Sequence, residues 1–386
     1  MRNSNIKIFD TTLRDGQQAS GANLSINEKL KIAKLLDKLN VDIIEAGFPA
    51  SSKKEFIAVN KISKILKNSQ VCSLARHNMN DIDLCLDAMK PSKNKRLHIF
   101  IATSDLHMKY KLNLNKSEVL DLIEYTLKYA RKKIDDIEWS CEDGTRSDPN
   151  FLIQCFKKAV KFGAKTLNIA DTVGYTTPDE ISNLIKKIKN NVPGIEKCHL
   201  SVHCHNDLGL ATANTIQAIK SGANQVECTI NGLGERAGNA ALEEVVMILN
   251  TRKDLLKKST QINTKLLKKT SELVSKFTNF HVSKNKPIVG ENAFAHESGI
   301  HQHGVLRNKK TYEIIDPRDV GQKSSIINVG AQSGIKGIEF KLKYYKLDTK
   351  SINLKKFVKY FKNKVENLKI VDKNLLIKIY SDFKKL

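Results

Sequence analysis

Short apolar runs rich in β-branched residues recur along the chain and alternate with stretches whose apolar positions follow a helical period. The runs that read as strands are Ile6–Asp10, Ile43–Gly47, Val71–Leu74, Leu97–Ala102, Asp136–Ser140, Thr166–Ala170, Leu200–His203 and Gln225–Ile230. Amphipathic segments fall between them, among them Ile26–Leu39, Ser117–Lys132, Asn150–Phe162, Pro178–Lys189 and Ala211–Ser221. Asn27-Glu28, Ser117-Glu118 and Pro178-Asp179-Glu180 supply caps or first-turn acids, and Gly163 and Gly222 stop two helices just ahead of the next strand. Eight strand–helix units in a row predict an α/β protein with a parallel sheet. Eight strands close into a (β/α)8 TIM barrel, which takes roughly 250 residues.

Polar residues gather at the C-terminal ends of these runs: Arg14 and Asp15, Glu45, Arg76 and His77, His98 and Thr103, Glu138 to Glu142, Asp171 and Thr172, His203 and His205, and Asn231 to Asn239. Barrel enzymes keep their active sites at that end. An open doubly wound sheet also binds ligands there, but it does not bring the first strand beside the eighth. Past residue 275 the alternation fades. Asn285–Gly304 is loop-rich, with Pro287, Gly290, Gly299 and Gly304 and the histidines His296, His301 and His303, and from Asn353 to Leu386 the pattern is helical and lysine-rich. The expected division is a catalytic barrel over 1–280, a lid or linker subdomain over 281–345 and a small helical subdomain over 346–386.

Composition narrows the function. The net charge of +24 comes from 65 basic against 41 acidic residues, and the excess is lysine spread through every segment. No arginine-rich, aromatic-rich or recognisable base-reading module accompanies it, so no specific nucleic-acid partner is expected. The seven cysteines are scattered and odd in number, with no Cys-x-x-Cys pair, which suits reduced thiols. The first strand-like run begins almost at Met1, leaving no room for a signal or transit peptide, and no apolar stretch approaches the roughly 20 residues that cross a bilayer. A cytoplasmic protein is expected.

His203 and His205 stand two apart on a strand, so both imidazoles project from one face and Cys204 from the other. A lone His-x-His is ordinarily a pair of hydrogen-bonded histidines. Closure of a barrel adds Asp15 from the first strand and Asn239 from the eighth, and Asp15, His203, His205 and Asn239 then form a mixed N/O set suited to Mn²⁺, Mg²⁺ or Zn²⁺ with positions left open. Such an ion can take the carboxylate and keto oxygens of a 2-oxo acid and polarise the carbonyl. Arg14 beside it would stabilise developing negative charge, or pair with a carboxylate such as Glu45 or Asp171. Gly232-Leu233-Gly234-Glu235-Arg236-Ala237 matches a dinucleotide fingerprint formally, but it follows the last strand rather than opening a Rossmann half. A loop that turns Glu235 and Asn239 toward the metal explains its glycines better.

Phe9–Gly16, Ser201–Gly209, Gly232–Asn239 and Asn292–Gln302 together resemble the isopropylmalate, citramalate and homocitrate synthase family, and most of all its 2-isopropylmalate synthases. The resemblance implies condensation of acetyl-CoA with 3-methyl-2-oxobutanoate and thioester hydrolysis, in leucine biosynthesis. It implies metal ligation by Asp15, His203, His205 and Asn239, with Arg14 assisting the carbonyl and enolate chemistry and Glu142 and His301 as the proton-transfer pair. It places His98, Thr172, Ser140 and Glu235 at the substrate, and it implies a homodimer in which the segment around His301 covers the partner's barrel. The chain departs from the family pattern at Gln17, commonly Glu; at His303, usually Asp; and at Gly330–Ile335, where a cation is missing.

Two alternatives stay open. Pyruvate or 2-oxoglutarate could be the acceptor, with Arg76 available for a second carboxylate. A different class of function is a non-catalytic basic binding protein on the same scaffold, which has no reason to retain an ion through exhaustive dialysis. Relatives continue into a C-terminal leucine-binding regulatory domain, whereas this chain ends at Leu386, so that domain is expected to be absent. Leucine should therefore show no tight binding by calorimetry, and a micromolar isotherm would contradict this.

Overall fold

Eight parallel strands close on themselves in chain order, β1 Lys7–Asp10, β2 Ile43–Glu45, β3 Gln70–Arg76, β4 Lys95–Ala102, β5 Ile137–Glu142, β6 Thr166–Asp171, β7 His199–Cys204 and β8 Gln225–Cys228. Closure is made where β1 pairs with β8, Lys7 opposite Gln225 through Asp10 opposite Cys228. The computed structural model describes residues 5–368 and 370–386. A helix follows each strand: α1 Ile26–Lys38, α2 Lys53–Ile65, α3 Met79–Ala88, α4 Lys116–Arg131, α5 Pro149–Lys161, α6 Pro178–Asn191, α7 Ala211–Ser221 and α8 Leu242–Thr251. The (β/α)8 TIM barrel expected from the alternation is the fold.

Local chemistry sets the helix starts. Two true caps lie ahead of the expected ones, because Glu28 and Glu118 act as the third residue of a capping box rather than beside the cap. Ser25 N donates to Glu28 Oε2 at 2.8 Å and Ser25 Oγ accepts from Glu28 N at 3.3 Å, and Asn115 and Glu118 repeat the exchange. Gly222, at φ 114°, ends α7 in the left-handed region that favours glycine. The expected end of β8 at Ile230 is corrected to Cys228: Ile230–Gly232 is a tight 3-10 turn, held by Ile230 N donating to Thr12 Oγ1 at 2.9 Å.

The strands put apolar residues outward and a polar column inward. Outward, Trp139 meets Phe156 of α5 edge to face at 5.4 Å. At the floor, Arg96 Nη1 donates to Glu138 Oε2 at 2.9 Å and Gln225 Oε1 at 2.7 Å, while Gln225 Nε2 donates to Glu138 Oε1 at 2.8 Å. β3 and β4 begin earlier than their apolar runs because polar residues also pair into the sheet: Gln70 opposite Ile43, Lys95 opposite Val71 and Arg96 opposite Cys72. Phe9, Ile43 and Cys72 form an apolar cluster in the same interior.

A buried ion pair shapes the exit of β2. Lys29 is fully buried and its Nζ lies 2.7 Å from both oxygens of Glu55. Glu55 in turn crowds Gly47, where φ is +155° and an added Cβ would come within 2.4 Å of Glu55 Oε2. Only glycine fits there.

The chain divides into two compact units, Met1–Val282 and Ser283–Leu386. The first carries the barrel and ends in α9, Leu267–Thr278. The second contains a two-stranded sheet, β9 Ala295–His296 with β10 Ile326–Ile327, and the helices α10 Gly299–Arg307, α11 Ile335–Tyr344, α12 Leu354–Val365 and α13 Lys373–Lys384. Ile338 and Leu342 of α11 share one apolar cluster with Phe357, Phe361, Leu376 and Ile379, so the helical packing begins before residue 346. The departing segment Gly330–Ile335 has a structural part here: Ser333 Oγ donates to Glu297 O at 3.2 Å and accepts from Gly330 N at 3.1 Å.

Asp10, fully buried at the end of β1, accepts from Thr12 N at 3.0 Å and Thr12 Oγ1 at 2.9 Å. Burial nevertheless pushes its carboxyl up to about 7. Between about pH 4 and 7 the folded chain therefore holds a proton that the unfolded chain has lost, and stability falls as pH rises through that window. Asp10→Asn should become more stable relative to the parent by up to about 4 kcal/mol between pH 4 and pH 8. Urea unfolding at both pH values checks this, and a difference that does not change with pH would refute it.

Candidate metal centre

Three donors from distant parts of the chain converge at the mouth of the barrel. Asp15 follows β1, and His203 and His205 lie on and just after β7 with their rings 4.8 Å apart. Asp15 Oδ2 is 3.6 Å from His203 Nε2 and 3.7 Å from His205 Nε2. All three residues are buried and their ligand atoms lie within 4.8 Å of one another. Asn239, also buried, donates Nδ2 to Asp15 Oδ1 at 2.9 Å and to Leu233 O at 3.1 Å. Its Oδ1 has no hydrogen-bond partner among the described residues, a buried oxygen left over in a cluster of two imidazoles and a carboxylate. That donor set fits a divalent cation.

Surrounding charges prepare the donors. Burial alone would oppose ionisation of Asp15, but Arg14, His203 and His205 outweigh it and hold the carboxyl below the usual range. Arg14 Nη1 donates to Asp15 Oδ2 at 2.8 Å and Nε to Glu45 Oε2 at 2.5 Å, so the carboxylate pairing open to Arg14 is made with Glu45, not Asp171. Burial pulls His205 down to about 4, helped by the charge on His203, so its imidazole is neutral near pH 7. His203 Nδ1 lies 2.9 Å from Glu227 Oε2, which directs its other nitrogen, Nε2, to the metal position.

A cavity of about 280 Å³ opens above these residues. Arg14, Asp15, His203 and His205 line it, and Phe48, Leu74, Phe100 and Ala170 add apolar surface to a lining that is otherwise mostly polar. Residues 5–274 match the HMGL-like family, and residues 288–369 match the homocitrate synthase post-HMGL domain-like family. A 2-isopropylmalate synthase of Aquifex aeolicus is 51% identical over 383 residues, 99% of this chain and 74% of that protein.

The chain belongs to the HMGL-like family, in its 2-isopropylmalate synthase branch.

The Pyrococcus furiosus 2-isopropylmalate synthase is 52% identical over 90% of this chain and 70% of its own length. For that of Caulobacter sp. (strain K31) the figures are 52%, 89% and 65%, so the chain spans about two thirds to three quarters of these relatives. Among solved structures, hydroxymethylglutaryl-CoA lyase from Pseudomonas aeruginosa superposes with a TM-score of 0.61 at 19% identity, over 71% of this chain and 93% of that one, and shares the barrel fold.

Within this HMGL-like barrel the other expected site residues fall in three places. His98, Ser140, Glu142, Thr172 and Glu235 line the cavity. His98 bridges Glu45 and Ser140, with Nδ1 2.7 Å from Glu45 Oε1 and Nε2 2.6 Å from Ser140 Oγ. Thr172 Oγ1 accepts from Asp143 N at 2.8 Å. His301 lies on α10 of the second unit, exposed, its ring 4.2 Å from that of Tyr312. Arg76 is corrected: it makes a bidentate pair with Asp81 at 2.7 and 3.0 Å, and the cavity lining does not include it.

Residues not anticipated from the sequence complete the site. Glu227 alternates with apolar neighbours in β8, a charge in an inward position that could have marked it. Lys111 sits in a π-helical turn, Met108–Leu112, after β4; its Nζ lies 2.5 Å from Glu142 Oε1, and His107 Nδ1 is 3.8 Å from the same oxygen. Glu227→Gln removes the charge behind His203 and should weaken Mn²⁺ binding about 10- to 100-fold. Titration of the metal-free protein with Mn²⁺ measures this, and an unchanged affinity would remove Glu227 from the centre.

Proposed function

We propose that the protein is a divalent-metal-dependent 2-isopropylmalate synthase, which condenses acetyl-CoA with 3-methyl-2-oxobutanoate and hydrolyses the thioester to 2-isopropylmalate and CoA. The observation that carries the reading is the convergence of Asp15, His203 and His205, with the orphaned amide oxygen of Asn239, beside a cavity that Phe48, Leu74 and Phe100 also line. Held by these residues, a divalent ion such as Mn²⁺ supplies Lewis-acid polarisation of a keto group. Arg14 sets a cation at the same end of the cavity, where negative charge develops as the carbonyl is attacked. Glu142, whose side chain is 16% exposed, lines the cavity and is the group we assign to proton transfer, with His301 as its expected counterpart. His98, Ser140, Thr172 and Glu235 are assigned to the substrate. We further propose a cytoplasmic homodimer; the seven free thiols suit a reducing compartment.

The cavity wall supports the choice of acceptor. Leu74, Phe100 and Phe48 offer an isopropyl group an apolar surface, while Arg76, considered for a second carboxylate, is paired with Asp81, and the lining cations Lys111 and Arg236 are paired with Glu142 and Asp207. Thiol release from acetyl-CoA should therefore be fastest with 3-methyl-2-oxobutanoate, about 10-fold or more above pyruvate in kcat/KM, since each buried methyl contributes discrimination of that order. It should be slowest with 2-oxoglutarate and should vanish with a chelator. A preference for 2-oxoglutarate would replace the assigned substrate, and release that survives exhaustive chelation would refute the metal dependence.

A further inference from the structure

Arg236 stands in the loop after β8, between Glu235 and Asn239, with a left-handed backbone at φ 54°. A residue with a Cβ holds that conformation only when its surroundings enforce it. Its guanidinium supplies the reason. Nε donates to Asp207 Oδ1 at 2.7 Å, and Nη2 donates to Asp207 Oδ2 at 3.0 Å and to Thr172 O at 2.8 Å. Asp207 lies two residues beyond His205 in the loop after β7, and Thr172 directly follows β6. One side chain thus ties together the three consecutive loops that carry Thr172, His205 and Asn239.

The rest of the junction is built around the same carboxylate. Gly174, at φ +59°, packs so closely that an added Cβ would lie 2.7 Å from both Asp207 N and Asp207 Oδ2. On the inner side, Asn206 N donates to Gly238 O at 2.9 Å, and His205 and Asn239 form an isolated antiparallel bridge. The backbone therefore joins the β7 and β8 loops, while the Arg236–Asp207 pair draws in the β6 loop. Arg236 is 41% exposed at the rim of the cavity, far enough out that its contacts are with loops rather than with the donor atoms of the metal centre.

We propose that Arg236 is a positioning residue whose bidentate pair with Asp207 and bond to Thr172 O set the placement of His205 and Asn239 around the metal and of Thr172 at the 2-oxo acid. The inference rests on the metal-dependent reading above. It concerns geometry, so charge alone does not satisfy it: lysine cannot reproduce the two-pronged contact.

Arg236→Gly makes the cleanest test, because glycine adopts the left-handed backbone without strain and the metal-free fold should be preserved. Mn²⁺ titration of the parent and of R236G, followed by steady-state kinetics with 3-methyl-2-oxobutanoate, reads the effect. Mn²⁺ binding should weaken about 10-fold in R236G, the size typical of losing a group that orients metal ligands. KM for the 2-oxo acid should rise by a larger factor than kcat falls. R236K should not restore binding, D207N should weaken it to a similar extent, and R236G/D207N should be no worse than either single variant. Mn²⁺ affinity in R236G within twofold of the parent overturns the latch and leaves the proposed function standing. Full restoration by R236K overturns it too, since charge would then suffice. A parent protein that binds no Mn²⁺ overturns the metal reading and the latch with it. If R236G folds poorly, R236K and D207N decide the same question by the same titration.

Discussion

The parallel pairing of Lys7–Asp10 with Gln225–Cys228 closes the sheet, and with it the two ends of the barrel chain meet. Asp15 and Asn239, 224 positions apart, come within 2.9 Å only because of that closure. The pairing is short, four residues deep, and it is reinforced just past the strands: Thr11 N donates to Cys228 O at 2.9 Å and Thr12 Oγ1 accepts from Ile230 N at 2.9 Å. These bonds continue the β1–β8 seam into the very loops that carry Arg14, Asp15 and Asn239. A strand slip of one residue would invert which side chains face inward. The chemistry therefore rests on register at this seam more than on any single ligand.

Much of that arrangement was legible in the chain. A charge or imidazole at every second position of a strand otherwise apolar, as in His203-Cys204-His205, announces an inward polar face, and the alternation of eight such strands with helices announces closure. What could not be read is which residues meet across the barrel. Glu45, His98 and Ser140 come from three different strands, and Arg96, Glu138 and Gln225 likewise, so their pairing depends on the stagger between strands, which leaves no local trace. Arg76 shows the opposite error. It sits at a strand end like the other candidates, yet Asp81 in the next helix captures it, because a partner five residues away competes at little cost in chain entropy. Lys111 was hidden by a π-helical turn, a local irregularity without a sequence signature, and His107 stands just before it.

The interior charges add a reason why a divalent ion belongs here. Asp15, Glu45, Glu138 and Glu227 are buried, and the guanidiniums in contact with them are those of Arg14 and Arg96. Buried charges are tolerated when paired, and four carboxylates against two guanidiniums leave two negative charges unmatched. Two imidazoles stand in the gap. Burial alone would lower His98 and His203, but Glu45 beside the first and Glu227 beside the second outweigh it and raise both. In the metal-free protein, protons on these rings can supply the missing positive charge. A divalent ion held by Asp15, His203 and His205 would supply positive charge at the same end of the barrel, and it would take His203 through Nε2, the nitrogen left free by the Nδ1 contact with Glu227. The floor of the barrel, Arg96 with Glu138 and Gln225, is already satisfied and stays as it is. The imidazoles that answer these carboxylates, His98 and His203, both line the cavity, where a polarised substrate would lie.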